Sequence, residues 1–326
     1  MNSIYLLFTA GFLFTLAAMI LVMPVFIRYL KNRNISQVTS DYALEEFKKK
    51  EKTPIMGGLL FVIIPVIITV LIHFPVLRNS RVLFVILSYL LYCSVGFIDD
   101  SLIIRSHSND GLSPKTRLIM EFGYTLILFL LFRNVIPQQV TIPFTNIGIQ
   151  LPWFIFLPFM ILLYMAEANA VNFTDGMDGL CAGVSLIALI PFILFTLIYH
   201  DTDLSLLLIC IAAGLIGYLV FNHHPAKIFM GDSGSLALGA LFSSLALVMD
   251  KTIALFVIGG VFVAEMFCVV VQQVSVRLFH KRVFTYTPIH YAFVIKGFKE
   301  TKIVYAFYLL QCVLSIIGFL IGIHTL

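Results

Sequence analysis

Four short polar blocks interrupt a largely apolar chain, and each carries side chains that can do chemistry. The blocks read GFIDD, NAVNFTDGMDGL, FNHHPAKIFMGDSGS and RVFTYTPIHYAF. Three of them contain five aspartates: Asp99, Asp100, Asp175, Asp178 and Asp232. Because neighbouring carboxylates repel one another, aspartates that come together need a cation beside them. If the blocks meet in space, they predict a cation site.

Magnesium is the cation that this composition favours. Hard oxygen ligands with few histidines suit Mg²⁺, which typically takes one or two carboxylates plus substrate phosphates. Magnesium that bridges a diphosphate neutralises charge during phosphoryl transfer. The glycines of TDGMDG and MGDSGS permit tight turns and close backbone approach to phosphate oxygens. The predicted chemistry is therefore magnesium-assisted phosphoryl transfer.

Each block also has a plainer structural interpretation. Asp99 and Asp100 could mark a solvated helix end, and Asp232, before Ser-Gly-Ser, could cap the helix that follows. DGMDG alone could be a loop, and His223 and His224 are expected to be surface groups or supports for other residues rather than metal ligands. Only a shared location of the blocks favours chemistry over these interpretations.

The composition of the chain excludes a soluble protein. Apolar residues make up 60% of the 326 positions and charged residues 12%, with a mean hydropathy of +1.01, whereas a typical soluble chain has about 25% charged residues. The apolar runs are continuous, unlike the alternating strands of about ten residues in a transmembrane barrel. The sequence thus predicts an all-α integral membrane protein that forms one polytopic domain over residues 1–326.

Ten apolar runs are long enough, or nearly so, for the roughly 20 residues that span a bilayer. The first run is expected to be a retained helix, because no basic region precedes it and no small-residue cleavage site follows it. The ten are Ile4–Tyr29, Met56–Leu77, Val82–Ile98, Leu118–Phe132, Leu151–Ala168, Gly179–Tyr199, Leu204–Phe221, Gly234–Met249, Thr252–Val276 and Ile303–Ile323.

The distribution of lysine and arginine predicts the orientation. Seventeen of the 21 fall in one set of loops, and the other set holds only Arg78, Arg81, Arg133 and Lys251. By the positive-inside rule the richer face is cytoplasmic, which places both termini outside. Basic loops against anionic lipid explain the net charge of +4, so no nucleic-acid partner is expected.

This topology places all four polar blocks on the cytoplasmic face. The outer loops hold only three acids, Asp201, Asp203 and Asp250. The asymmetry is the strongest functional signal in the residues themselves, and it favours an active site on the cytoplasmic face.

Two loops are long enough for structure of their own. Lys31 to Ile55 is expected to form a short surface helix and a connector, and Thr141 to Gln150 is expected to form a small outer hairpin.

Three further features concern side chains within the apolar runs. Glu265 is the one acid expected deep in a span, where its cost in lipid predicts that it faces the bundle interior; structural and functional roles both stay open. Gln272 lies two turns further toward the cytoplasm, where it could reach the same site. The cysteines, odd in number and all in apolar runs, are expected to be small buried hydrophobes: Cys93, Cys181, Cys210, Cys268 and Cys312.

Taken together, the polar blocks resemble the signature sequences of the polyprenyl-phosphate N-acetylhexosamine-1-phosphate transferases, the glycosyltransferase family 4 superfamily. The phospho-N-acetylmuramoyl-pentapeptide transferase branch is the most similar. TPIMGG, KRVF followed by PIH, and KGFKETKIVYAF add to that likeness. The resemblance extends from about Lys50 to Phe307 with the blocks in order, which makes it far more specific than one short pattern.

The resemblance implies a magnesium-dependent, multi-pass enzyme of the bacterial plasma membrane, usually a homodimer of ten-helix subunits. Its substrates would be UDP-N-acetylmuramoyl-pentapeptide and undecaprenyl phosphate. The products would be lipid I and UMP, in the peptidoglycan synthesis on which cell-wall growth, cell shape and division depend.

Catalytic roles follow from the resemblance by position. Asp99 matches the carboxylate proposed to deprotonate the lipid phosphate, and Asp232 matches the magnesium ligand. Asp100 is expected to assist the metal or the lipid phosphate, and His290 matches the first residue of a three-histidine block. An older proposal makes the aspartate at position 232 the nucleophile. We favour direct attack by the lipid phosphate, which is already anionic.

Substrate-binding roles follow in the same way. Phe229 would stack on uracil beside the residues that line the nucleoside and diphosphate. Lys50 and Lys115 match basic positions near the nucleotide, and Gln272 matches a position in the ninth helix. The remaining positions of this set are Asn172, Asp175, Asp178 and Asn222.

Several positions depart from the family pattern. Tyr291 and Ala292 stand where the family has its second and third histidines, and Ile103 stands where a lysine is common. Arg105, two residues further on, could replace that charge. These changes concern the peptide-sugar contacts more than the phosphoryl chemistry.

Three other functions compete with this assignment. A related enzyme would transfer N-acetylglucosamine phosphate to the same lipid. An anion or metal transporter would show charges at the bilayer midplane and, often, an internal repeat. A scaffold protein would need no carboxylate cluster.

Overall fold

The molecule, a computed structural model, is described over residues 2–33, 35–36, 50, 53–106, 111–145 and 147–323. Most of the surface helix and connector expected between Lys31 and Ile55 lies outside these residues. The helices are α1 (Asn2–Asn32), α2 (Gly58–Ile72), α3 (Ser80–Ser106), α4 (Pro114–Phe132), α5 (Trp153–Thr174), α6 (Leu180–Ile198), α7 (Thr202–Asn222), α8 (Asp232–Val248), α9 (Thr252–Ile258), α10 (Gly260–Phe279), α11 (Ile289–Ile295) and α12 (Glu300–Ile323).

The fold confirms an all-α membrane protein. Among the described residues, seven helices are long and apolar enough to cross a bilayer, and α2 and α8 are shorter apolar helices. A helix satisfies its backbone hydrogen bonds internally, which is what a chain in hydrocarbon requires. The number of ten spans and the outward position of both termini stay predictions.

The first polar block and the start of the second lie inside helices rather than after them. The third run was expected to end at Ile98, but α3 continues to Ser106 and contains Asp99 and Asp100. The fifth run was expected to end at Ala168, but α5 continues to Thr174. Polar side chains do not end a helix when neighbouring elements supply their partners, which is why these two expected ends are wrong.

Two other runs are broken. The second gives α2 and then a separate 3₁₀ helix, Phe74–Arg78, because Pro75 removes a backbone donor and restricts the residue before it. The ninth gives α9 and α10, which meet at Gly259. Hydropathy alone predicted one helix for each run, because it does not show where one apolar helix ends and the next begins.

Glu265 is buried, and its expected place as the one acid deep in the bilayer stays a prediction. Glu121 on α4 and Glu167 on α5 are buried as well. Of the cysteines, only Cys93, Cys181 and Cys210 are buried; Cys312 is exposed. Small apolar side chains on a lipid-facing helix surface need no burial, because hydrocarbon surrounds them.

Helix α8 is the centre of the bundle. Every residue from Ser233 to Val248 is buried, and α3 and α5 pack along it. Helix α3 approaches closely at Gly96, where a side chain would overlap the backbone of Asp232 and Ser233. Small residues that let two helices touch are typical of membrane interfaces. This contact fixes the start of α8 against α3, three residues before Asp99.

The expected hairpin is confirmed, whereas its position on the outer side stays a prediction. Strands β1 (Gln139–Thr141) and β2 (Gly148–Gln150) pair antiparallel, with Val140 opposite Ile149. The Asp250 carboxylate, which follows α8, accepts a hydrogen bond from Gln139 Nε2 at 2.7 Å and ties the hairpin to this end of the bundle.

Candidate active site

The candidate site surrounds Asp232, the first residue of α8. Its Oδ1 accepts from Asn172 Nδ2 at 2.8 Å, and its Oδ2 accepts from Arg117 Nη1 at 3.0 Å. Asn172 lies in the last turn of α5 and Arg117 in the first turn of α4. The helix N-terminus adds a partial positive charge. Two helix ends therefore present donors to one carboxylate, which lies at the start of a third helix.

Asp100 supplies the cap of α8 from a different helix. Its carboxylate accepts the backbone N–H of Asp232 at 3.0 Å and of Ser233 at 3.1 Å, and its residue exposure is 1%. The interpretation of Asp232 as the cap of its own helix is therefore wrong. The assistance of Asp100 to a metal or to the lipid phosphate stays a prediction.

Asp99 faces another way, although it is the neighbour of Asp100 in sequence. Its Oδ1 accepts the backbone N–H of Leu112 at 2.7 Å, in the segment that leads into α4. It is buried, and it lies within electrostatic range of Asp232 and Arg117. The two carboxylates diverge because successive helix residues are about 100° apart.

Arg117 was missed by the sequence analysis. Besides Asp232, it contacts Asn169 Oδ1 through Nη2 at 2.7 Å. Lys115 was named instead, but it lies about 200° away around α4 and is exposed. The helical spacing to Glu121, one turn on, was the signal that could have found Arg117, whose Nε lies 3.8 Å from that carboxylate.

The loop of residues 175–179, here called the acidic loop, follows α5. The carboxylate of Asp175 lies near the backbone N–H of Gly231, next to the start of α8. Burial, together with repulsion from Asp232 and Asp178, raises the pKa of Asp175 to about 7. A carboxylate in this position favours a proton or a cation nearby.

Asp178, at the other end of the acidic loop, lies in a network of charges. Its Oδ1 accepts from Lys50 Nζ at 2.7 Å, and its Oδ2 is 2.9 Å from His224 Nδ1 and accepts the N–H of Ala226 at 3.1 Å. His224 therefore supports another residue, as expected.

Glu300, the first residue of α12, completes this network and was also missed. It accepts from Lys50 Nζ at 2.8 Å and from the backbone N–H of Asp178 at 2.8 Å. Ligand atoms of Asp178, His224 and Glu300 lie within 4.8 Å of one another, a spacing that could hold a metal ion. The Lys50 ammonium already pairs with both carboxylates and offsets part of their negative charge.

Asn222 and Phe229 connect the third polar block to its neighbours. Buried Asn222 accepts the N–H of Gly179 at 3.1 Å and donates to Ile228 O at 2.9 Å, which joins the acidic loop to the block. Phe229 is half-buried, and its backbone N–H donates to Pro54 O at 2.8 Å. Gly57 N–H returns a bond to Phe229 O at 2.8 Å. The TPIMGG segment thus lines the same region.

After α10, residues 280–291, here called the returning segment, run back along that helix. Gln272 Oε1 accepts the N–H groups of Val283 and Phe284, each at 3.0 Å. Seven residues earlier, or about 10 Å down the helix, Glu265 accepts the N–H of Ile289 at 2.7 Å and lies 2.9 Å from His290 Nδ1. Glu265 therefore faces the interior, as expected, and Gln272 holds the returning segment.

The structure brings together most of the predicted site residues at one end of the bundle. Asp99, Asp100 and Asp175 lie within electrostatic range of Asp232, while Lys115 is exposed. Several carboxylates beside one guanidinium leave an excess of negative charge at this point. A divalent cation with oxygen ligands fits that excess.

Comparison with known proteins agrees with this arrangement. Residues 82–250 match the family model described as glycosyl transferase family 4. The chain is 34% identical over 322 residues to a phospho-N-acetylmuramoyl-pentapeptide-transferase of Staphylococcus aureus (strain bovine RF122 / ET3-1), covering 96% of this chain and 99% of the relative. It is 35% identical over 329 residues to the protein of that name from Staphylococcus carnosus (strain TM300), covering 98% and 100%.

Proposed function

This chain belongs to the glycosyl transferase family 4, and from that membership we propose that it is a phospho-N-acetylmuramoyl-pentapeptide transferase of peptidoglycan synthesis. It transfers the phospho-sugar-peptide of UDP-N-acetylmuramoyl-pentapeptide to undecaprenyl phosphate, giving lipid I and UMP. We place it in the bacterial plasma membrane as a homodimer of single-domain subunits, with both termini outside.

The observation that carries the proposal is the convergence on the start of α8. Asp99 comes from α3, Asp175 from the acidic loop and Asp232 from α8, and these segments are far apart in sequence. Arg117 and Lys50 add cationic groups within the same end of the bundle. Carboxylates for a cation, together with cations for an anion, suit a diphosphate substrate.

Asp232 would hold the magnesium ion, with Asp175 beside it. The raised pKa of Asp175 and the crowding of carboxylates support a cation at this point. The Asp232 carboxylate has more lone pairs than the bonds from Arg117 and Asn172 use, so it can still bind a cation. When bound, Mg²⁺ would supply charge neutralisation on the diphosphate oxygens.

The chain's own groups position the reactants. Asp99 would take the proton of the lipid phosphate, whose oxygen then forms a bond to the β-phosphorus of the nucleotide. The bond from that phosphorus to the bridging oxygen breaks, and UMP leaves. Direct attack needs no covalent aspartyl intermediate at Asp232, because the lipid phosphate is already an anionic nucleophile.

The nucleotide half is assigned to the acidic loop and its surroundings. Phe229 would stack on uracil. Asp178 and Asn222 would act by holding the acidic loop, since their polar atoms already bond within the chain. His290 would act from beneath that loop. The remaining members of the set are Lys50, Lys115, Asn172 and Gln272.

The test is UMP release by the purified protein in detergent with undecaprenyl phosphate and magnesium. UDP-N-acetylmuramoyl-pentapeptide and UDP-N-acetylglucosamine are supplied in parallel. We expect UMP from the first donor alone. UMP from the second alone would assign the related N-acetylglucosamine-phosphate transfer, and no UMP from either would overturn the enzymatic proposal and favour a transporter.

A further inference from the structure

Glu265 and His290 form a fully buried pair at the foot of the returning segment. Both residues are 0% exposed. One oxygen of Glu265 accepts the backbone N–H of Ile289 at 2.7 Å, and the other lies 2.9 Å from His290 Nδ1. Beside an ionised Glu265, whose oxygens only accept hydrogen bonds, Nδ1 would carry the ring proton. The pair therefore fixes both the direction of the ring and the nitrogen that faces away from Glu265.

That second nitrogen faces the acidic loop. His290 Nε2 is buried, and within the described part of the chain it has no hydrogen-bond partner. It lies against Gly176, where any side chain would overlap it. The next residue makes a second contact, because the Tyr291 hydroxyl donates to Gly176 O at 3.1 Å. Residues 289–291 thus pack against one side of the acidic loop, at Gly176.

The acidic loop lies between the two charged parts of the site. Asp175 at its start lies near the Gly231 N–H beside α8, and Asp178 at its end holds Lys50. A shift of residues 289–291, which contact Gly176, would therefore move both aspartates relative to Asp232. Carboxylates that orient a metal-binding histidine in this manner change activity by about 10- to 100-fold when lost, and we take that range as the expected scale for Glu265.

We propose that Glu265 is a positioning residue for the transfer reaction, acting through His290 on the acidic loop and so on the binding of the nucleotide diphosphate. This inference rests on the proposed function for its substrate. It assigns a task to an acid that the catalytic roles leave unused, and it makes the returning segment part of the nucleotide site.

Glu265→Gln is the sharpest variant. The Ile289 N–H needs an acceptor, so the amide oxygen must face it and the amide NH₂ must face His290 Nδ1. That nitrogen then accepts, and the ring proton moves to Nε2 with little change of shape. Glu167→Gln is the matched control: Glu167 is buried on α5, with an Oε1 that has no partner in the described residues.

Kinetics of the full-length protein in detergent provide the first measurement. We expect Glu265→Gln to lower kcat/KM for UDP-N-acetylmuramoyl-pentapeptide by about 10- to 100-fold, with the KM for undecaprenyl phosphate unchanged, and Glu167→Gln to behave as wild type. Glu265→Asp keeps the charge and should recover part of the loss. Equal losses for both substrates, with a lowered Tm, would show a purely structural role and overturn the proposal.

His290→Asn provides a second route should the first variant fold poorly. Its amide can still donate to Glu265, but Nε2 is gone. We expect the same nucleotide defect as in Glu265→Gln, and no further loss when the two changes are combined, because residues that act as a unit are not additive. Independent, additive losses would contradict the proposed coupling.

The protonation of the ring can be read without any substrate. In protein labelled with ¹⁵N-histidine, the His290 signals, identified by their loss in His290→Asn, should show Nδ1 protonated in wild type and unprotonated in Glu265→Gln. Failure of the UMP assay would leave this result standing, so the two proposals fail separately. An unprotonated Nδ1 in wild type would overturn the inference itself.

Discussion

The carboxylate of Asp100 accepts the backbone N–H of Asp232 at 3.0 Å and so caps the helix on which Asp232 lies. Two adjacent aspartates thereby do different work. Asp100 points across to α8, whereas Asp99 points to the segment before α4, where it meets Leu112 N–H. In this pair, Asp100 has a structural role as a helix cap, and Asp99 is the candidate for a role in the reaction.

Replacement of Asp100 should therefore act first on stability. In Asp100→Asn one oxygen can still accept, but the amide NH₂ would face a backbone donor, which leaves a buried group unsatisfied at a cost of about 1–3 kcal/mol. A lowered Tm in detergent is the expected result. Full loss of turnover at an unchanged Tm would place Asp100 in the chemistry instead.

Asp99→Asn should act on the chemical step. A base must be deprotonated to work, so its removal should lower kcat and flatten the acid limb of the pH–rate profile. UMP release between pH 5 and 9, measured beside wild type, provides the check. Full activity with an unchanged profile would remove Asp99 from the role of base.

Asp232→Asn should lower turnover by about 100- to 1000-fold, the range for loss of one group that stabilises developing charge. The fold should persist, because the amide oxygen can still accept from either Arg117 or Asn172 and the Asp100 cap remains. UMP release is measured over a magnesium titration with Tm as the control. Normal magnesium-dependent activity would refute the metal assignment.

Arg117→Lys should weaken the site, although the charge is kept. A lysine cannot bridge Asp232 and Asn169 with two nitrogens of one planar group. We expect kcat to fall by about 10-fold, the equivalent of one charge-assisted hydrogen bond at roughly 1.5 kcal/mol. Arg277→Gln, an exposed change in the last turn of α10, is the control and should leave kcat unchanged.

Asp175 should make stability depend on pH. Its folded-state pKa, about 7, exceeds the ordinary 3.8, so the folded protein keeps a proton that the unfolded chain loses between these values. Stability should therefore fall as pH rises from about 4 through 7 without magnesium. Tm measured at pH 5 and pH 8 should differ less in Asp175→Asn. An identical pH dependence in the variant would contradict the assignment.

Much of the fold could be predicted because membrane crossing is a local property. Run length and composition located helices such as α1 and α7 to within a few residues, and the bias of lysine and arginine grouped the polar blocks on one face. The ends of α3 and α5 could not be predicted, because the partners that allow a polar residue to stay helical come from other segments.

The same division applies to the site. Sequence by itself determined which residue types were available: the aspartates, the glycine-rich turns and the resemblance to a transferase family. Only the tertiary structure decided that Asp100 caps α8, that Arg117 rather than Lys115 faces Asp232, and that Tyr291 donates to Gly176 where the family has histidine. These relations depend on the rotation of helices about their axes and on contacts between distant segments, neither of which a linear pattern contains.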